Sequence, residues 1–141
     1  MADSIGRGIL ITLACVSAAI AAACASAAPN TLGGTSWTVA SVNGQPASGP
    51  RTPTLMFDRQ NHVNGNGGCN SYFGEYSAHD GAIDLSGVGR TEMTCTPQSI
   101  MAQEDAYLGA LDAATRYVIE SDGRLVLSGP GGASIAFNRV T

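Results

Sequence analysis

Between Thr35 and Thr141 a single segment carries helical periodicity, and nearly everything around it alternates in short runs broken by turn residues. Thr96 reads as a helix N-cap and Pro97 as the first helical residue, where its missing N–H costs nothing. The helix is expected to reach Asp112, with Ile100, Met101, Tyr107, Leu108 and Leu111 as its apolar stripe and Gln103, Asp105 and Asp112 toward water. A curved antiparallel sheet needs cover for its concave face, and this helix is the candidate in the chain. The expected fold is therefore α+β, mainly β, with the sheet wrapped around a single helix.

The strand pattern supports that class. Trp37 and Val39 alternate, with Val42 expected to join them, before an Asn43-Gly44 turn, a Pro/Gly/Ser-rich loop follows, and Thr54 to Phe57 is a second short strand. His62 to Asn66 and Ser71 to Tyr76 flank the glycine-rich stretch NGNGGCN, and His79-Asp80-Gly81 is a further turn. Ile83 to Leu85 and Thr91 to Cys95 extend the pattern, the latter with Thr91, Met93 and Cys95 on one face and Cys95 toward the core. Tyr117 to Ile119, Leu125 to Leu127 and Ser134 to Phe137 complete two hairpins.

The N-terminus has a different character. Arg7 and the amino terminus supply positive charge, no charged residue occurs from Gly8 to Ala28, and Ile9 to Ile20 form an apolar run, as in a secretory signal. Ala21-Ala22-Ala23-Cys24 resembles a lipobox, with Ala21 where leucine is usual, and makes Cys24 the expected lipidation site. Ala25-Ser26-Ala27 fits ordinary signal peptidase as an alternative, and an uncleaved membrane helix is a third reading. The boundaries expected are a targeting segment at 1–24, a linker at 25–34 and one domain at 35–141.

Export bears on the cysteines. Cys15 and Cys24 belong to the targeting segment, leaving Cys69 and Cys95 in the domain, and two cysteines in an oxidising compartment are expected to form one bridge. The competing reading is a reactive Cys69 thiol.

Charge excludes several functions. The net charge is −4 and every basic side chain is an arginine, scattered with no cluster to track a phosphate backbone, so no nucleic-acid partner is expected. The absence of lysine removes the side chain that P-loop, Schiff-base and pyridoxal chemistry require.

Taken together, LGGTSWTVASVNG, NGNGGCNSYFGEY, VGRTEMTC and MAQEDAYLGAL, from about Leu32 to Arg139, resemble the META domain, or HslJ-like, family of bacterial envelope proteins. The resemblance implies a half-barrel-like sheet packed on one helix and an envelope or stress-associated role, heat induction and antibiotic tolerance being linked to members. It brings no catalytic residue and no cofactor.

NGNGG lacks the last glycine of a phosphate-binding GxGxxG, Asn70 standing in its place, so Gly65, Gly67 and Gly68 are better read as serving positive φ or a bulge. His62 and His79 lack zinc-binding spacing. Cys69, His79 and Asp80 could form a thiol hydrolase only if Cys69 is unbridged. Glu104 falls inside the apolar stripe, where a carboxylate needs hydrogen-bond donors, and is read as structural, accepting from backbone amides or a tyrosine. Tyr72, Phe73 and Tyr76 are candidate contact residues, or core. The expected function is a non-enzymatic envelope lipoprotein, monomeric and held at the outer membrane facing the periplasm, that binds an envelope protein or small ligand. A soluble periplasmic or secreted form, an envelope hydrolase using Cys69 or an acidic residue, and a purely structural domain are the alternatives.

Overall fold

The computed structural model describes residues 31–141. The expected targeting segment and the expected lipidation site at Cys24 lie outside the described residues. Among the described residues no helix is long and apolar enough to cross a membrane.

Nine strands, β1 (Thr35–Val42), β2 (Gln45–Pro46), β3 (Thr54–Phe57), β4 (His62–Asn66), β5 (Ser71–His79), β6 (Ala82–Arg90), β7 (Arg116–Ile119), β8 (Leu125–Ser128) and β9 (Ser134–Arg139), pair antiparallel in one sheet, with helix α1 (Gln98–Asp112) between β6 and β7. The half-barrel expectation is corrected to a closed barrel of eight strands, because β9 returns to pair with β1 from Trp37↔Arg139 to Val42↔Ile135. Closure leaves little of the free edge that an open sheet exposes to other chains, the exception being β6, which pairs with β7 through Ala82 alone. β2 stands outside the ring as a two-residue extension on β1.

Alternation fills the interior. Trp37, Leu55, Phe57, Val63, Leu125, Leu127, Ile135 and Phe137 are almost wholly buried, each contributing roughly 1.5–3 kcal/mol by leaving water. A register shift between Val39 and Ser41 lets Val42 face inward although it is out of phase with Trp37 and Val39. The Trp37 indole donates to Thr35 Oγ1 at 2.7 Å, and that hydroxyl donates to the Leu32 carbonyl at 2.6 Å. Leu32 is itself fully buried, so the residues assigned to the end of the linker already belong to the fold.

The helix meets the barrel at one end and along one seam. Only Ala82 of β6 pairs with β7, through Arg116, and beyond that pair Asp105, Leu108 and Asp112 of α1 stand beside Val88, Gly89 and Arg90 of β6. Ile100, Glu104, Tyr107, Ala110 and Leu111 form the buried helix face. The start of the helix differs from the sequence expectation: Pro97 is the N-cap, with extended geometry (φ −72°, ψ 160°), and no side chain caps the helix. Thr96 stands one residue too far out to do so. The strand expected at Thr91 to Cys95 is likewise absent, since β6 ends at Arg90, Met93 is 53% exposed and Cys95 is half-buried. The Thr91 N–H still donates to the Ser71 carbonyl of β5, and at Met93 the Asn70 side chain takes the bonds that a neighbouring strand would have made.

Candidate functional site

The glycine-rich turn between β4 and β5 is held down by a carboxylate from the helix. Glu104, fully buried, accepts the Cys69 and Asn70 backbone N–H groups at 2.9 and 2.6 Å on one oxygen and the Asn70 side-chain amide at 2.7 Å on the other. Arg90 approaches that second oxygen at 3.5 Å and places a shorter bond, 2.7 Å, on Asp105. Carboxylates accept several bonds of this kind, and donors bonded to an ionised group make the stronger ones.

Asn70 extends the network to the chain beyond β6. Its amide nitrogen also donates to the Met93 carbonyl at 3.2 Å, while its oxygen accepts the Met93 N–H at 2.6 Å and the Thr91 hydroxyl at 3.0 Å. The reverse amide orientation would set an oxygen against the carboxylate, so these partners fix it. The Cys69–Cys95 disulfide, Cα atoms 5.9 Å apart, ties the same turn to the residues just before α1. Carboxylate, amide and disulfide thus form a latch joining turn, connector and helix.

The glycines serve this packing. Only Gly68, at φ +117°, takes the left-handed conformation expected of the motif. Gly65 is needed because a Cβ there would strike the Thr54 carbonyl oxygen, and Gly67 because one would lie 2.7 Å from Glu104 Cγ.

Beside the latch, Tyr72 and Tyr107 stack edge to face with centroids 5.8 Å apart and hydroxyls at 2.7 Å, and both reach the Thr54 carbonyl. Burial holds both phenols neutral, raising each above the ordinary tyrosine value of 10.0. The sign for stability follows: above the unfolded pKa the unfolded chain binds fewer protons than the folded one, so stability is complete below about pH 10 and falls as pH rises, by up to about 1.4 kcal/mol per pH unit per tyrosine. Urea midpoints should therefore be flat near pH 8 and drop above pH 10 or so, and Tyr72→Phe should shallow that drop. A wild-type midpoint that stays flat to pH 11 or so would contradict neutral burial.

The other sequence candidates are dispersed. Tyr72 and Tyr76 are 1% and 4% exposed, because residues 72, 74 and 76 face inward along β5, and so they are corrected from contact surface to core. Phe73 points outward, 60% exposed. Cys69 is joined to Cys95, and His79 lies at the far end of the nine-residue β5, about 27 Å of strand away, so the thiol constellation with His79 and Asp80 does not assemble. His62 Nδ1 lies 2.9 Å from Asp58, whose carboxyl is held below the usual range chiefly by the His62 backbone N–H. Among the described residues no group of three or more His, Cys, Asp or Glu side chains converges as metal ligands.

Sequence reasoning missed Asn70 and Arg90. Asn70 appeared only as the residue that breaks a phosphate-loop pattern, and Arg90 only within VGRTEMTC. The one available signal was Glu104, whose position in an apolar stripe required donors from elsewhere.

Fold and site together define a class: a small closed antiparallel β-barrel, with one helix along its seam, latched by a buried carboxylate and a disulfide. The chain belongs to the META domain family, whose model matches residues 30–141. A solved structure from Burkholderia xenovorans is similar at 28% identity and a TM-score of 0.63, over 78% of this chain and 84% of that one. A second solved structure shares the fold at 19% identity and a TM-score of 0.65, over 80% and 95% of the two chains. A DUF4847 family protein from Bacteroides vulgatus shares it at 16% identity and a TM-score of 0.55, over 79% and 97%. No curated protein matches the chain.

Proposed function

We propose that this chain is an exported envelope lipoprotein, anchored through Cys24, that contributes to stress tolerance by binding an envelope component and not by turnover. One contrast carries the reading. Cys69 and Glu104, the residues with the most chemistry to offer, are engaged in the latch, whereas Phe73 stands 60% exposed over a groove of about 710 Å³ on the outer face of β4, β5 and β6. An aromatic side chain this open beside a concavity offers a partner a large, rigid apolar contact flanked by polar groups. The charge-free N-terminal run and the disulfide both fit an exported protein.

The test is retention of the detergent-extracted full chain on detergent-washed cell-wall material from its own host. Phe73→Ala should lower the retained fraction about fivefold or more, while stability stays within about 0.5 kcal/mol because the site is at the surface. Retention equal to wild type would remove Phe73 as the contact.

A further inference from the structure

Strand register arranges the outer face of β4, β5 and β6 as a grid. His62 opposes Glu75, which opposes Ser86; two residues along, Asn64 opposes Phe73, which opposes Gly89. Val63, Tyr72 and Tyr76 point inward between these positions, so the grid faces solvent. Between Gly89 and Ser86 the β6 strand carries one extra residue relative to β5, with Gly87 at φ +61°. Such bulges re-aim the side chains beside them, and this one opens the surface next to the aromatic ring.

Phe73 is held in place by its neighbour. A Cβ on Gly89 would lie 3.3 Å from the tip of the ring, so the phenyl group rests over a residue with no side chain while keeping an open surface. Around it, Ser86, the Asn64 amide and the outer His62 nitrogen can each donate or accept, and Glu75 accepts. No ion pair engages Glu75 among the described residues.

This chemistry discriminates among ligands. Hydroxyl groups need both donors and acceptors, as this set provides, whereas a cationic side chain needs acceptors alone. An anionic polymer would meet the carboxylates of Asp58 and Glu75 with only His62 as a possible countercharge. We propose that the grid is a saccharide-binding surface for an uncharged glycan, with Phe73 under the C–H face of a sugar ring and Asn64, Glu75, Ser86 and His62 bonded to its hydroxyls. The closed barrel holds these groups in position before the ligand arrives. The proposal rests on the reading of Phe73 as a contact residue and gives the partner its chemical class.

The experiment titrates the detergent-solubilised full chain with a β-1,4-linked glucose tetramer and a β-1,4-linked N-acetylglucosamine tetramer, followed by calorimetry, with tri-lysine and polyphosphate as charged controls. At least one tetramer should bind, and Phe73→Ala and Glu75→Ala should each weaken it about tenfold with unchanged melting temperature. Two inert tetramers, or binding indifferent to Phe73→Ala, would overturn the glycan assignment. If the tetramers are inert while cell-wall retention still depends on Phe73, the glycan assignment fails and the contact surface stands. Phe73-dependent binding of tri-lysine with inert tetramers would likewise replace the glycan with a basic peptide.

Discussion

Glu104→Ala should destabilise the fold by about 3–5 kcal/mol, a large part of the stability of a domain this size. The substitution leaves the buried Cys69 and Asn70 backbone amides without their acceptor, takes one of two acceptors from the Asn70 side-chain NH2, and strips Arg90 of one of its two carboxylates. Removing one partner from a buried charged network costs far more than the network contributes over an apolar substitute, because the surviving donors stay desolvated. Glu104→Gln should recover part of the loss, about 2 kcal/mol remaining, since its NH2 must face at least one donor. Urea unfolding of the oxidised protein measures both. The sign is informative, because carboxylates held strained for catalysis often leave a protein more stable when they are removed. A gain in stability on Glu104→Ala would therefore reject the latch.

Opening the disulfide is the second large effect. Cys69→Ala with Cys95→Ala should cost about 3 kcal/mol, from the freedom that a 26-residue closure denies the unfolded chain. The bridge and Glu104 restrain the same turn, so the two losses should not add. Combining them should fall short of the sum by about 0.5–3 kcal/mol, as expected where sites share partners. Full additivity would show that the bridge and the carboxylate hold independent parts of the structure.

Local signals in the sequence carried most of the strands. Trp37, Leu55 with Phe57, Val63, Leu125 with Leu127 and Ile135 with Phe137 all point inward by simple alternation. Closure was not legible, because it depends on β9 reaching β1, a pairing between residues about as far apart as the domain allows and set by no short-range pattern. The Thr91 to Cys95 error has the same origin. Its alternation is genuine, but pairing with β5 stops at Thr91, whose N–H donates to the Ser71 carbonyl, and Met93 bonds the Asn70 side chain instead of a strand. Glu104 was legible as an anomaly and its partners were not, since Cys69 lies 35 residues away in sequence. Phe73 could be separated from Tyr72 and Tyr76 only once the inward face of β5 was known.

Export into an oxidising compartment would keep Cys69 bridged to Cys95 and unavailable as a nucleophile. The direct measurement is intact-mass and peptide analysis of the chain extracted from its host's envelope, alkylated without reduction. It should find a mature chain beginning at Cys24 with lipid attached, and Cys69 joined to Cys95 with neither alkylated. An alkylated Cys69 on a chain still beginning at Met1 would contradict both the anchor and the latch.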